Sequence, residues 1–349
     1  MIFCKRCAMN GSAQDIVLTN EGCNFCERAK EELNLIHYGE RLSSKSDFIQ
    51  SFGLMVAKIK TRKDKYDCLI GLSGGVDSSM VLHHAVKLGL KPLCFSVDNG
   101  WQDDKAQENI MKLVEGLKVP YYRYNIDLDK FRELQSAFMR AGLINVEIPT
   151  DHILMATTLE LASRYKIKWI LSGGNVATES IMPPSWSYNA RDLTHIKDVY
   201  KKMTGKRLKG LPVCGLLKWN YYRWVKRIKT IYLLDYLHYN RDEAIALLEK
   251  EYGYVSYGEK HEESIFTKWF QNFYLFTKFG IDKRIAHYSS LIMSGQMTRG
   301  EAMFKLTASP VYPQLGIEPR VLGYPKRSHA EFKQDKWYER IAKIVKWLS

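Results

Sequence analysis

The chain has 349 residues, 46% hydrophobic and 26% charged, which suits a globular protein of two domains with a sizeable core. Its formal net charge is +14, and residues 196–349 hold +13 of it, 28 Lys/Arg against 15 Asp/Glu, a bias that fits nucleic acid, a phosphorylated substrate or an acidic protein face. No apolar run is long enough for a transmembrane helix, and Met1–Cys7 lacks the apolar core of a signal peptide, so a cytoplasmic location is expected. There an odd count of seven cysteines argues against a disulfide framework.

Residues 1–30 carry Cys4-x-x-Cys7 and Cys23-x-x-Cys26. Each pair grips a metal from a tight turn, and together they complete a tetrahedral four-thiolate site with no open position for chemistry. Zn²⁺ is the default occupant, and an iron–sulfur cluster is the alternative. Residues 31–62 read as a helical linker, with Leu33, Ile36, Phe48, Phe52, Met55, Val56 and Ile59 at roughly helical intervals. From residue 63 to 195 strands and helices alternate. Tyr66–Leu72 is a strand, Met80 to Leu88 a helix closed by Gly89, Leu93–Val97 a strand, and 105–118 a helix. Tyr121–Ile126, His152–Tyr165 and Trp169–Leu171 continue as strand, helix and strand. Such alternation predicts an α/β fold with a parallel sheet covered on both faces. Residues 196–349 read as mostly helical and basic, with a last helix from Glu331 to Leu348.

The strongest motif is Ser73-Gly74-Gly75-Val76-Asp77-Ser78-Ser79, between a strand and a helix. Two glycines let backbone N–H groups converge on an anion, and the helix N-terminus adds its positive end. Ser73, Ser78 and Ser79 supply hydroxyl donors, and Asp77 can cap the helix or orient Mg²⁺. The lysine of a Walker A loop is missing. The stretch instead resembles the PP-loop of the ATP pyrophosphatases, which include GMP synthetase, NAD synthetase, asparagine synthetase and tRNA-modifying enzymes. The resemblance implies an adenine-nucleotide alpha-hydrolase sheet and cleavage of ATP between its α and β phosphates. Asp98, within Phe95-Ser96-Val97-Asp98-Asn99-Gly100, and Gly173, Gly174 and Asn175 lie at later strand ends, where open α/β sheets bind ligands. The family implies that both segments line the nucleotide; Asp98 and Asn99 also suit an Asx turn.

Residues 197–229 hold eleven Lys/Arg against one acid, with Trp219, Tyr221, Tyr222 and Trp224 interleaved. This suits a nucleic-acid surface or a solvated basic face over aromatic core. Further stretches are Thr150-Asp151-His152, Ala177-Thr178-Glu179-Ser180, Tyr257 to Ser264, Lys278 to Arg284, and Ser294 to Ala302. With the cysteine pairs and the PP-loop, they resemble the N-acetyl sugar amidotransferases of lipopolysaccharide and pseudaminic-acid biosynthesis, over residues 1 to about 305.

That resemblance implies a reaction. An acetamido oxygen of a sugar attacks ATP, giving an O-adenylyl imidate and pyrophosphate, and ammonia then displaces AMP to leave an acetamidino group. Lys260 or His261 would stabilise charge on the α-phosphate or substrate, and Glu179 or Glu263 would take a proton from ammonia. No cysteine sits in a glutaminase context, so the resemblance implies a separate glutaminase and a cyclase-like subunit that channels ammonia, docking on the basic surface or the last helix. The rival reading is tRNA thiolation, which some PP-loop enzymes with cysteine knuckles perform. Only Cys68, Cys94 and Cys214 remain for sulfur transfer, so nucleic acid is not the expected partner.

Overall fold

Five strands place their side chains alternately on two faces of one sheet: β1 (Cys68–Gly71), β2 (Pro92–Asp98), β3 (Tyr121–Asn125), β4 (Trp169–Ser172) and β5 (Lys229–Tyr232). The computed structural model describes residues 2–36, 45–60, 64–258 and 260–337. Glu259 and the expected helix to Leu348 from residue 338 onward lie outside the described residues, as do 37–44 and 61–63 of the linker. The strand order is β3-β2-β1-β4-β5, and every pairing is parallel. Parallel strands require crossovers, and the helices that supply them cover both faces.

The helices are α1 (Asn24–Ile36), α2 (Lys45–Ile59), α3 (Val76–Lys87), α4 (Asp104–Gly116), α5 (Leu128–Ala141), α6 (Ile148–Arg164), α7 (Val176–Glu179), α8 (Leu193–Thr204), α9 (Leu216–Asn220), α10 (Arg241–Tyr252), α11 (Ile265–Trp269), α12 (Arg284–Met293), α13 (Arg299–Lys305) and α14 (Glu318–Gly323). On one face Cys68, Ile70 and Leu171 pack with Val81 and Leu82 of α3, Ile110 of α4 and Leu248 of α10. On the other, Leu69, Phe95 and Ile170 pack with Ala156, Leu159 and Ala162 of α6. A third apolar cluster joins the cysteine knuckle to Phe131 and Phe138 of α5, Val199 of α8, and Phe266, Trp269 and Tyr274. Each large side chain so buried contributes about 1.5–3 kcal/mol.

Two elements lie outside the strands and helices expected from the sequence. The short β5 lies in the stretch that reads as helical, because Lys229-Thr230-Ile231-Tyr232 carries little apolar signal and pairs only at the sheet edge. Helix α5 bears a charged outer face and a buried one of Phe131, Leu134, Ala137 and Phe138, and closes on Gly142 in the left-handed conformation. Helix α11 runs directly into a wider π-helical segment, Phe270–Phe279, a geometry often found at functional sites. Among the described residues no helix is long and apolar enough to cross a membrane.

Candidate active site

The sheet order reverses direction between β1 and β4, and open α/β sheets bind ligands at the carboxyl end of that switch point. The turn after β1 carries Ser73–Gly75 into α3. Gly74 has φ +86°, and a Cβ there would lie 2.4 Å from the Ala106 carbonyl oxygen, so no other residue fits. A Cβ on Gly173, after β4, would stand 3.0 Å from the Ser78 backbone nitrogen. The two turns therefore meet backbone against backbone. The Gly75 N–H donates to Ser73 Oγ at 3.1 Å, and Ser78 Oγ donates to the Gly75 carbonyl at 3.1 Å. No side chain caps α3, which leaves its first N–H groups for an anion. Asp77 thus does not take the capping role its position allows.

Asp77 instead belongs to an ion network. Lys260 Nζ lies 2.8 Å from Asp77 Oδ2 and 2.9 Å from Glu179 Oε1, and His261 Nε2 lies 3.5 Å from the same Glu179 oxygen. Lys260 also donates to Thr178 Oγ1, and Tyr239 OH donates to Asp77 Oδ1. Burial works against the Lys260 ammonium, but Asp77 and Glu179 outweigh it and hold its pKa above the ordinary value. Burial likewise opposes the Glu179 carboxylate, yet Lys260 and His261 hold it well below the usual carboxylate range. His261 has φ +65°, an uncommon conformation for a non-glycine residue and one that concentrates at functional sites.

These groups face one cavity of about 710 Å³, within the range of small-molecule sites. Ser73, Gly75, Asp77, Ser78, Gly173, Gly174, Glu179, Lys260, His261 and Glu263 all line it. Glu263 Oε1 would lie 3.2 Å from a Cβ on Gly75, beside the anion turn. Gly74, Ser79, Asp98 and Asn175 are not among its lining residues. Ser79 is buried and donates to the Gly75 carbonyl at 2.8 Å. Asp98 pairs with Arg123 at 2.8 Å and accepts from the Gly100 N–H, the Asx-turn arrangement, while Asn99 reaches the cavity. Asn175 caps α7 by accepting from Thr178 N at 2.9 Å, and so sets the helix that carries Glu179.

The same cavity holds three titratable residues that the motifs passed over or left without a role: Glu147, Asp151 and Lys283. Burial, reinforced by Asp151, pushes the Glu147 carboxyl up to about 8. Asp151 is accessible through the cavity it lines, yet the protein around it pushes its carboxyl up to about 6. Burial lowers the Lys283 ammonium against the pull of Asp151, Glu147 and Glu179. Asp151 and Lys283 lie inside stretches singled out by sequence, whereas Glu147 carries no local signal. Other residues of those stretches are structural. His152 contacts the Ala190 carbonyl oxygen through Nδ1 at 2.7 Å and accepts from Cys214 N at 3.1 Å. Lys278 donates to the Val321 and Tyr324 carbonyls, both at 2.7 Å.

The four knuckle sulfurs lie within 4.8 Å of one another. Cys4–Cys26, Cys7–Cys23 and Cys23–Cys26 Sγ separations are 3.7, 3.9 and 3.6 Å. A tetrahedral ion with metal–sulfur bonds of about 2.3 Å implies edges of about 3.8 Å, so the set fits one ion at its centre. Backbone N–H groups of Arg6 and Met9 point at Cys4 and Cys7 sulfurs, as metal-bound thiolates require. The knuckle also supports the cavity wall. Trp186, a wall residue, donates to the Ser12 carbonyl at 3.2 Å, and Arg28 to that of Met182.

Residues 263–334 match the family described as LPS biosynthesis protein WbpG-like, C-terminal domain. No curated protein matches the sequence. Among solved structures, the chain is similar to the U34-tRNA thiolase NcsA from Methanococcus maripaludis with its 4Fe-4S cluster, at 15% identity and TM-score 0.34, over 81% of this chain and 90% of that one. It is similar to an NH3-dependent NAD synthetase from Campylobacter jejuni, at 14% identity and TM-score 0.31, over 62% and 99%. An NMN synthetase from Francisella tularensis aligns at 13% identity and TM-score 0.31, over 54% and 98%.

Proposed function

We propose that this chain is an ATP pyrophosphatase-type amidotransferase, which converts an acetamido group of a bacterial surface-polysaccharide sugar to an acetamidino group and releases AMP and pyrophosphate. The observation that carries the reading is the uncapped N-terminus of α3 opening into the same cavity as Lys260, Asp77 and Glu179. The WbpG-like match at residues 263–334 supports the assignment to lipopolysaccharide biosynthesis.

The chain's own groups divide the work. The N–H groups heading α3, with the Ser73 and Ser78 hydroxyls, bind the departing pyrophosphate. Lys260, held protonated by its two acids, offsets charge that develops at the α-phosphate. The driving logic is chemical: an amide oxygen leaves poorly, and as AMP it leaves well. Asp77 offers a hard oxygen that suits Mg²⁺, which would screen the phosphate charges. Cys4, Cys7, Cys23 and Cys26 would hold a structural Zn²⁺. Ammonia would come from a separate glutaminase through a cyclase-like subunit.

The test is product analysis with ATP, ammonium and a panel of nucleotide-linked N-acetylated sugars. AMP and pyrophosphate in equal amounts, dependent on the sugar, are expected. ADP and phosphate as the sole products would remove the reading.

A further inference from the structure

The amidotransferase reading leaves one demand unmet: the nitrogen nucleophile arrives as ammonium and must lose protons. Glu179 is ill suited to accept them, because Lys260 and His261 occupy its Oε1 and keep it strongly acidic. A carboxylate held that far down is a weak base.

Glu147 differs in every respect. It sits at the head of α6, 8% exposed. Its Oε2 accepts from Thr267 Oγ1 at 3.1 Å, while Oε1 is buried with no hydrogen-bond partner and the residue lines the cavity. An orphaned buried carboxylate oxygen is costly, and such a group is retained where something fills its place. Asp151, one helical turn along α6, and Lys283, just before α12, line the same part of the cavity. Among the described residues the Lys283 ammonium makes no hydrogen bond or ion pair. Lys260 is paired with Asp77 and Glu179, which leaves Glu147 and Asp151 with Lys283 as the lysine whose charge acts on both. Lys283 makes an ion pair with neither acid, and a small cation with several N–H donors suits this pair of carboxyls.

We propose that Glu147 and Asp151 form an ammonium subsite, in which Glu147 Oε1 accepts the proton that frees ammonia to attack. This rests on the amidotransferase reading and extends it to the second substrate. The proton balance calls for two acceptors. An N–H bond of ammonium breaks and its proton goes to Glu147. The freed lone pair forms the C–N bond to the imidate carbon, the C–O bond to AMP breaks, and its electron pair leaves with AMP. The imidate nitrogen keeps the proton it carried in the acetamido group, so as the amidinium forms the attached nitrogen loses a second proton, to Asp151. Thr267 orients the Glu147 carboxyl from α11, and Lys283 moderates the charge of both acids. The elevated proton affinities of Glu147 and Asp151 match acceptors that must take protons near neutral pH.

The experiment reads Glu147 directly in the full chain carrying carboxyl-¹³C glutamate, with Glu147→Gln identifying its signal by NMR. With tetramethylammonium chloride present, the signal should titrate near 8. An equal concentration of ammonium chloride should lower its proton affinity by about tenfold or more, as a hydrogen-bonded cation does. Asp151→Asn should lower the starting midpoint, since a like charge is gone, and weaken the response to ammonium. Should Glu147→Gln not fold, Thr267→Val identifies the same signal by its displacement. Identical titrations in the two salts would overturn the subsite, whatever products the enzyme forms. An intact ammonium response in a chain that makes only ADP would overturn the amidotransferase reading and leave the cation site standing.

Discussion

At the residue scale, the site is organised by where charge is compensated. Lys260 holds Asp77 and Glu179 together from a side chain 9% exposed. Lys260→Met should lower the rate of AMP formation about 100-fold or more, because a preorganised cation in a sheltered site is lost. It should also cost about 1–3 kcal/mol of stability, less than for a fully buried pair because both acids keep solvent contact; steady-state kinetics and urea denaturation check the two effects. Glu147 makes a prediction of opposite character. Its folded-state pKa is raised from 4.5 to about 8, so between those values the folded state holds a proton that the unfolded state releases. Stability should fall as pH rises through that window and be unaffected by this group below it. Glu147→Gln should flatten the profile by about 3–4 kcal/mol between pH 5 and 8, as read by denaturation midpoints. A steeper decline in the variant would contradict the burial argument.

At the scale of elements, the proposed phosphate turn is built by two glycine loops that touch. Gly173→Ala inserts a methyl 3.0 Å from the Ser78 nitrogen, so it should push α3 away from β4 and abolish AMP formation with a modest loss of stability. Gly74→Ala adds left-handed strain to a clash with the Ala106 carbonyl and should cost about 1–3 kcal/mol. Thermal unfolding and product assays separate the two: the first variant should fold and fail in chemistry, the second should be visibly destabilised. The cysteine knuckle acts on the site through its packing. Arg299 donates to the Cys4 and Cys7 carbonyls at 3.0 and 3.2 Å, tying the turn to α13, and α1 packs on α7, the helix that carries Glu179. Metal analysis should find about one zinc per chain, and Cys4→Ser or chelation should lower the melting temperature before it changes the products. Iron with inorganic sulfide would reverse the assignment.

At the scale of the whole molecule, the cysteines and the basic face limit what the chain does alone. All seven cysteines are buried. Beyond the knuckle, burial pushes the Cys94 thiol up to about 12 and Cys214 to about 11 and raises Cys68 as well, so none is a nucleophile at neutral pH. The chain by itself should therefore turn over with ammonium and fail with glutamine, and a glutaminase with its channelling partner should restore glutamine use. Glutamine-dependent turnover by the purified chain would defeat this. The basic region leaves Leu217, Trp224 and Val225 well exposed while Tyr222 is buried, and Arg191 stacks over Trp219 at 4.3 Å at the cavity rim. Added tRNA should not compete with the sugar; tight, salt-sensitive competition would favour thiolation instead.

What the sequence alone determined is local. Ser73–Ser79 reads as an anion turn because backbone conformation and helix polarity follow from seven adjacent residues. The cysteine pairs read as a metal site because their spacing encodes a turn, and the β–α alternation reads as a parallel sheet because burial on both faces leaves apolar runs. Tertiary structure alone decided which charges meet. Lys260 reaches Asp77 across 183 positions of sequence and Glu179 across 81, distances over which no periodicity operates. It also decided that Asp98 faces Arg123 and that Asn175 caps a helix, since neighbours choose among a polar side chain's several uses. Glu147 shows the limit most plainly: nothing in its local sequence distinguishes it from a surface acid, and only the walls folded around it raise its proton affinity and leave one oxygen without a partner.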